Sequence, residues 1–386
     1  MSGLPALVLV SSSFPILGDG SEAAGAFVAD LAGEVSTLGI DVRVVAPGRA
    51  RARETWCRGV EVFRYPSPEQ PLSTLNPVSP LDAWRILSVV TEGQRATEAA
   101  VTRGAVRHIF ALWALPCGHW ARASARRHGL SYSVWTLGSD IWSLGRIPGI
   151  RSYLRRILRG ASSRWSDGLE LAEATQAIAG MQVGFLPSTR RITGKSIEPR
   201  KTVGPYRLLF LGRWHSNKGV DLLLDALQLL DESDWARIEA IEIHGGGPLD
   251  AQVRVGVQAL QAAGRPVELG GFLGRDAAES AILRADWLLI PSRIESIPII
   301  FSDAMKLGCP VVSTPVGDLP KLVAGRRPAG ILAQAATAPE FAMAMSEALS
   351  RGGGAFCEGV ASHKASFDLG SIAARVASLG SGAHHE

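Results

Sequence analysis

The 386-residue chain is short of several things at once: it has four cysteines, six lysines against 34 arginines, no Asp-x-Asp and no Gly-x-Gly-x-x-Gly. Each shortage removes a class of function. Cys57, Cys117, Cys309 and Cys357 are scattered without a Cys-x-x-Cys spacing, so neither a zinc site nor a disulfide framework is expected. The missing glycine fingerprint argues against a nicotinamide-type dinucleotide site. The missing Asp-x-Asp removes the paired carboxylates that would chelate a cation on a substrate diphosphate. Long apolar runs are lacking too: ALVLV, residues 6 to 10, gives way to SSSFP, far short of the ~20 residues of a membrane span and without a basic run before it. A cytoplasmic protein is expected.

What is present is a globular composition, 46% hydrophobic, in a chain too long for one ordinary core, so two domains are expected. Charge is uneven. Residues 1 to 200 hold 23 Lys and Arg against 16 Asp and Glu, and the remainder 17 against 20. The densest basic segment, RIPGIRSYLRRILRGASSR at 146 to 164, carries Arg146, Arg151, Arg155, Arg156 and Arg159 and no acid. Two readings stand: a surface that meets an anionic membrane, on its inner face, or an acidic acceptor; and a solvated helix face in an arginine-rich chain. Nucleic-acid binding has no support beyond the arginines.

Short apolar runs alternate with helical patterns: ALVLV, the helix-like AAGAFVADLAGEVSTLG, DVRVVAP, HIFAL, SYSVWTL and QAIAG. That is the βαβ rhythm of a parallel sheet covered on both faces. It restarts after residue 200 with RLLFLG, IEAIEIHG, PVELGG, ADWLLIP, PVVSTP and AGILA. In 218 to 230, Val220, Leu223, Leu224, Leu227 and Leu230 share one helical face, with Asp221, Asp225 and Gln228 opposite. TGKSIEPRKTVGPY interrupts the pattern. We therefore expect an α/β chain of two Rossmann-like doubly wound domains facing across a cleft. The expected bounds are 1–203, 204–368, and a helix and tail at 369–386 that packs back toward the first domain. Such sheets bind ligands at the carboxyl ends of their strands.

The second half holds the candidate chemistry. LLFLGRWHSNKGVDLLLDAL reads strand, loop, helix, with Arg213 past the strand and Lys218 at the helix start. Two cations beside free helix amides suit a diphosphate; the alternative is a pair of loop charges. Lys218 precedes Gly219 rather than Ser or Thr, so this is not a Walker loop. Gly245, Gly246 and Gly247 of HGGGPL allow close approach of backbone to a ligand, or form a plain tight turn. GGFLG, with Phe272, carries the same two readings, its main chain facing a nucleobase in the first. In PSRIESIPIIFSDAMKLGCPVVSTP, Glu295 falls in a loop and Pro298 at the first helical position. Ile297, Ile300, Phe301 and Ala304 make the apolar face, with Asp303 on a neighbouring flank. Asp303 is then either a ligand contact or half of an i,i+3 surface pair with Lys306 worth about 0.2–0.5 kcal/mol.

GRWHSNKG, GGGPL, GGFLG and PSRIESIPIIFSDAMKLGCPVVSTPVGDLPKLV, in this order over roughly residues 205 to 335, resemble the donor domain of family-4 retaining glycosyltransferases of GT-B fold. SSSFPILGDGSEAAGAFVADLAGEVSTLGIDVRVVAPG, IFALWALPCGH and VWTLGSDIW resemble its acceptor domain more weakly. The resemblance implies that Arg213 and Lys218 bind the donor diphosphate and stabilise the leaving nucleotide, and that Glu295 contacts the transferred sugar. It places Asp303 where a second glutamate holds the ribose. It places Ser296, Ile297 and Pro298 where backbone amides meet the donor, and Gly18 and Gly20 in a loop approaching the diphosphate from the first domain. Ser139, Asp140 and Leu137 fall on the acceptor or sugar side.

Three departures stand out: Asp303 is one C–C bond shorter than glutamate, about 1.5 Å; Leu137 and Leu112 occupy positions where the family has histidines; and Val316-Gly317-Asp318 replaces a common pair of glycines. The implied activity is metal-independent, retaining transfer of a hexosyl unit from a nucleotide sugar, a co-substrate rather than a cofactor. The acceptor would be a glycan, a lipid-linked glycan or a small molecule, in glycan, exopolysaccharide or glycolipid synthesis. The alternative is a weak or inactive GT-B nucleotide-sugar-binding protein that partners another transferase.

Overall fold

The structure is a computed structural model and describes residues 4–16, 25–68, 79–194 and 200–381. The chain divides into two compact units, Met1–Arg190 with Leu369–Glu386, and Arg191–Asp368. Each is built on one sheet.

In the first unit the strands are β1 (Ala6–Val10), β2 (Asp41–Gly48), β3 (Ala52–Cys57), β4 (Val60–Pro66), β5 (Val106–Leu112), β6 (Ser131–Thr136), β7 (Ser163–Ser166) and β8 (Gly184–Phe185). Their order is β3-β4-β2-β1-β5-β6-β7-β8. Only β3, antiparallel to β4, breaks the parallel pattern. The centre is dry on both faces: Ala6 to Val10 are all buried, which is why ALVLV reads as a continuous run rather than an alternation. The last helix, Leu369–Ser381, packs on β1, β5 and the helix Ala26–Thr37 of this unit.

The second unit contains β9 (Tyr206–Arg213), β10 (Ile238–Gly246), β11 (Val267–Gly270), β12 (Trp287–Ile290), β13 (Val311–Ser313) and β14 (Gly330–Leu332). They pair in the order β11-β10-β9-β12-β13-β14, all parallel. Helices Val220–Leu227, Asp250–Ala262 and Ala338–Arg351 seal the core. The predicted apolar face holds, although the first of these helices ends at Leu227 and Leu230 is buried just beyond it.

Two expectations are corrected. QAIAG is not a strand: it is the end of a helix, Leu169–Ala179, stopped by Gly180 at φ 65°, a left-handed position that glycine takes at little cost. The sequence expectation put the domain division at 203/204, whereas the compact units part between Arg190 and Arg191. Residues just beyond that point are bonded into the second unit. The Glu279 carboxylate accepts from Thr193 N (3.0 Å), Thr193 Oγ1 (3.1 Å) and Gly194 N (2.7 Å). Arg200, 8% exposed, donates to the carbonyls of Gly308, Leu283, Ala285 and Leu307 at 2.6 to 3.0 Å. Arg200→Ala leaves four carbonyls at the ends of two helices, Arg275–Arg284 and Ile299–Lys306, without that donor, and we expect a loss of about 2–3 kcal/mol of stability, read by denaturant unfolding.

Between β5 and β6 of the first unit, His108 lies between Ser131 Oγ (2.7 Å) and Ser133 Oγ (2.9 Å). Burial pushes its pKa down to about 4. Between pH 4 and 6.5 the unfolded chain therefore holds a proton on His108 that the folded chain does not. Stability from this group is complete above pH 6.5 and is lost on acidification, by at most about 3 kcal/mol. Asp140, pushed up to about 6 by burial, works in the opposite sense: folding holds its proton, so its contribution diminishes as pH rises from 3.8 to 6. Comparing His108→Asn with the parent at pH 4.5 and 7 isolates the histidine. The variant's stability should fall less on acidification.

Candidate functional site

The carboxyl edge of the second sheet is assembled by glycines that permit close backbone contacts. β9 delivers Arg213, exposed, at its end. A short 3₁₀ turn, Ser216–Lys218, follows and ends at Gly219, φ 70°. A Cβ on Gly219 would lie 1.8 Å from the Pro291 carbonyl oxygen, so only glycine lets this turn meet the end of β12. The consequence is an ion pair from Lys218 Nζ to Glu295 Oε1. The Lys218 side chain is 39% exposed and that of Glu295 14%.

Residues that sequence reasoning overlooked hold this pair in place. Arg293 N donates to Asn217 O (2.8 Å), and its guanidinium donates to Ser216 O and Asp221 Oδ1, both at 2.8 Å. One arginine thus ties the lysine turn to the glutamate loop. From the other side, Asp318 N donates to Ser296 O at 3.2 Å, and Gly317, φ 51°, sits so close that a Cβ would lie 2.4 Å from Glu295 O and 2.2 Å from Ser296 O. The only sequence signal was the unusual Gly317-Asp318 pair.

The helix Ile299–Lys306 starts directly after this loop. Pro298 is its N-cap, φ −61°, one position earlier than expected. Having no N–H, it cannot serve as the amide donor that the resemblance assigned to it. Ser296 and Ile297 retain amides, and the Ser296 Oγ is buried with no partner among the described residues. The open first turn adds the amides of Ile299 and Ile300, and together with Lys218 these favour an anion.

Asp303 is not on a solvated flank: it is fully buried in that helix. The helix is covered on this side by the rest of the unit, so the short side chain has no surface of its own. Lys306 Nζ lies 3.9 Å away and is itself 11% exposed, so the two are not a surface pair either. Asp303→Glu pushes an extra methylene into this packed position and should cost about 1–3 kcal/mol, measurable as a lowered melting temperature.

The glycine run is also packed by its own neighbours. A Cβ on Gly245 (φ 150°) would lie 1.9 Å from Gly212 O, one on Gly246 2.6 Å from the Phe272 ring, and one on Gly247 (φ 150°) 2.7 Å from Trp214 O. Gly247 also adjoins Arg213, whose Cγ would be 3.2 Å from that Cβ. Phe272 is 70% exposed, an aromatic face just past β11 on the carboxyl edge, beside the end of β10.

In the first unit, Asp140 anchors two loops. It is 1% exposed and accepts from the amides of Ala114 (2.6 Å), Gly138 (3.1 Å) and Leu137 (3.3 Å), fixing the loops that follow β5 and β6. Leu112 is fully buried, Leu137 partly buried and Ser139 exposed. Gly18 and Gly20 lie outside the described residues. Of the arginine run, Arg151 donates to Gly145 O and Ala177 O and Arg155 to Ile178 O, while Arg146, Arg156 and Arg159 are exposed. Among the described residues no helix is long and apolar enough to cross a membrane, and no three His, Cys, Asp or Glu side chains cluster as metal ligands.

Residues 205–351 match the family model described as Glycosyl transferases group 1, a match confined to the second unit. A glycogen synthase of Acidiphilium cryptum is 30% identical over 174 residues, 43% of this chain and 34% of that protein. The amylovoran biosynthesis glycosyltransferase AmsK of Erwinia amylovora is 29% identical over 146 residues, 34% of this chain and 35% of its own length. The chain thus spans about a third of the curated relatives it matches. Among solved structures, the sucrose-phosphate synthase of Thermosynechococcus elongatus superposes with a TM-score of 0.68 at 17% identity, covering 97% of this chain and 98% of that one. The Anabaena protein HepE, in complex with UDP and glucose, gives 0.63 at 16%, covering 98% and 100%. At such identities the likeness establishes the fold, which is GT-B.

Proposed function

We propose that the chain is a glycosyltransferase whose carboxyl-terminal unit holds a nucleotide-sugar donor and whose amino-terminal unit holds the acceptor, acting in glycan or polysaccharide synthesis. The observation that carries this reading is the Lys218–Glu295 pair beside the open first turn of the Ile299–Lys306 helix, within residues that match the glycosyl transferases group 1 model. HepE, a fold neighbour, is described with UDP and glucose, which supports a nucleoside diphosphate as the leaving group.

In this reading the bond from the anomeric carbon to the diphosphate breaks, and its electron pair leaves with the nucleotide. Lys218, Arg213 and the amides of Ser296, Ile297 and the helix start stabilise the charge that develops there. The acceptor hydroxyl attacks the anomeric carbon from the same face, giving retention, and its proton passes to the departing phosphate oxygen. Glu295 contacts the transferred sugar. The cations and amides of the chain supply the electrostatic stabilisation, and the mechanism proposed is metal-independent.

A thermal-shift screen against nucleotide sugars identifies the donor, because a ligand bound only by the folded state raises stability with its concentration. Release of nucleoside diphosphate by the purified protein then tests turnover. Burial of Asp303, which leaves no exposed carboxylate for the ribose, is the observation that favours a second reading, a binding protein without turnover. Binding without nucleoside diphosphate release, with or without candidate acceptors, would select it.

A further inference from the structure

We propose that Trp113, held at the carboxyl end of β5, is the platform on which a sugar ring of the acceptor lies, so that the acceptor presents a pyranose to the amino-terminal unit. The proposal rests on the reading of that unit as the acceptor's and adds to it a contact residue and a ligand class. It starts from a conformational outlier. Among the described residues other than glycine, only Ala105 and Trp113 have a positive φ, Trp113 at 73°. A side chain of this bulk is rarely found there, because its Cβ crowds the backbone.

Side chains alternate along β5. Ile109 and Ala111 join the core cluster that includes Trp120 and Leu154, whereas Phe110 stacks on Trp135 on the opposite face, ring centroids 6.0 Å apart. Continued alternation would send Trp113 the way of Ile109 and Ala111. Its left-handed backbone breaks the pattern: the ring lies edge-on to Phe27 at 6.3 Å, and Phe27 in turn meets Trp135 at 6.0 Å. Three hydrogen bonds fix this turn. Trp113 N donates to Trp135 O (2.8 Å) and Gly118 N to Trp113 O (3.1 Å), while the next amide, Ala114 N, donates to the buried Asp140 carboxylate (2.6 Å). Strained residues that their surroundings over-determine in this way cluster at ligand sites. Glycine would make the same turn without the strain, so what tryptophan adds is its ring.

The place in the sheet points the same way. From β1 the chain runs outward to β2, and after β4 it returns to lay β5 on the other side of β1. The strand order therefore reverses between β1 and β5, and in open parallel sheets ligands bind beyond the carboxyl ends of the strands at such a reversal. Trp113 is the first residue past β5 and is partly exposed. Directly past β1 come Ser11, Ser12 and Ser13, and directly past β6 Leu137, Gly138 and Ser139; none is charged. An aromatic face among uncharged hydroxyls suits a neutral ring with an apolar C–H face and a fringe of hydroxyls, which is a pyranose, better than a phosphate or a carboxylate. The negative face of the indole meets the C–H bonds, and its N–H, without a hydrogen-bond partner among the described residues, can donate to a sugar hydroxyl.

The test is saturation-transfer NMR on the purified full chain with the α and β methyl glycosides of glucose, galactose, mannose and N-acetylglucosamine. Saturation of the protein's aromatic protons should reach the C–H protons of one face of at least one of these rings, and UDP-glucose should not displace that ring. Trp113→Leu, which loses the aromatic face, should weaken this binding about tenfold, whereas Trp113→Phe should hold it within about threefold. Both variants keep an apolar side chain against Phe27, so melting temperatures close to the parent's show that they fold. No transfer to any of the glycosides overturns the proposal, as does binding that Trp113→Leu leaves unchanged. Displacement of the glycoside by UDP-glucose would assign the ring to the donor and overturn it too. The result does not depend on turnover. A chain that binds glycosides on Trp113 yet releases no nucleoside diphosphate fails as a transferase and still carries this site; one that releases it with an acceptor KM unchanged in Trp113→Leu is a transferase without it.

Discussion

Replacing Lys218 by Ala lowers turnover at saturating donor by about 10²-fold or more, the loss seen when a preorganised donor is removed from developing charge. The geometry makes the expectation specific. Lys218 is held at one point by Gly219 against Pro291, and by Arg293 bridging its turn to the next loop. The cation is therefore placed before the donor arrives, and no reorganisation is needed as charge moves onto the diphosphate. Because the ground-state diphosphate already carries charge, KM should also rise, but less than kcat falls. Lys218→Arg keeps a cation but changes its shape, since a planar fork is not an ammonium point charge, and should recover part of the loss. In Lys218→Ala the Glu295 carboxylate loses its partner, so Glu295→Gln in that background should cost little more than the single change, as expected of groups acting as a unit. An unchanged kcat in Lys218→Ala would remove the leaving-group role, even if nucleotide still bound.

The two-sheet architecture was legible because parallel strands buried on both faces read as unbroken apolar runs, as ALVLV and ADWLLIP do, and because such runs alternate with helical patterns. Strands lacking that signature were missed. SRWS and GF, β7 and β8, have little apolar content, and the β3-β4 hairpin carries ARETWC on an exposed edge. QAIAG failed in the opposite direction, because a five-residue apolar run does not distinguish a strand from the last turn of a helix. In the site, the residue types came from the sequence and the couplings did not. Lys218 and Glu295 are 77 positions apart, and what brings them together is a missing Cβ at Gly219, a contact with no periodicity. Asp303 shows the limit of helical-face reasoning. Its angular position on the helix was read correctly relative to Phe301 and Ala304, but which flanks are covered depends on what packs outside the helix, and that is a tertiary fact.

Gly317→Ala should cost about 10²-fold in turnover, although residue 317 is none of the side chains expected to touch the donor. Its φ of 51° charges an alanine about 1–2 kcal/mol for a left-handed backbone. That penalty alone would lower stability and leave chemistry intact. The steric term is what reaches the site: the new Cβ would stand 2.4 Å from the Glu295 carbonyl oxygen and 2.2 Å from that of Ser296, so the two loops must part by about 1 Å, a displacement that at a reacting centre can cost 10²-fold. Glu295 and the Ser296 amide would move together, away from Lys218. Gly39→Ala is the control, since it also has a positive φ, 80°, but nothing within 4 Å of the added Cβ. It should lower the melting temperature through the backbone term alone and keep full turnover. If Gly317→Ala behaves like Gly39→Ala, losing stability but no activity, the Glu295 loop does not need this contact and its position is set by Arg293 and Asp318 instead. If turnover falls while donor affinity is largely kept, the contact positions the glutamate for the transferred sugar rather than for the nucleotide.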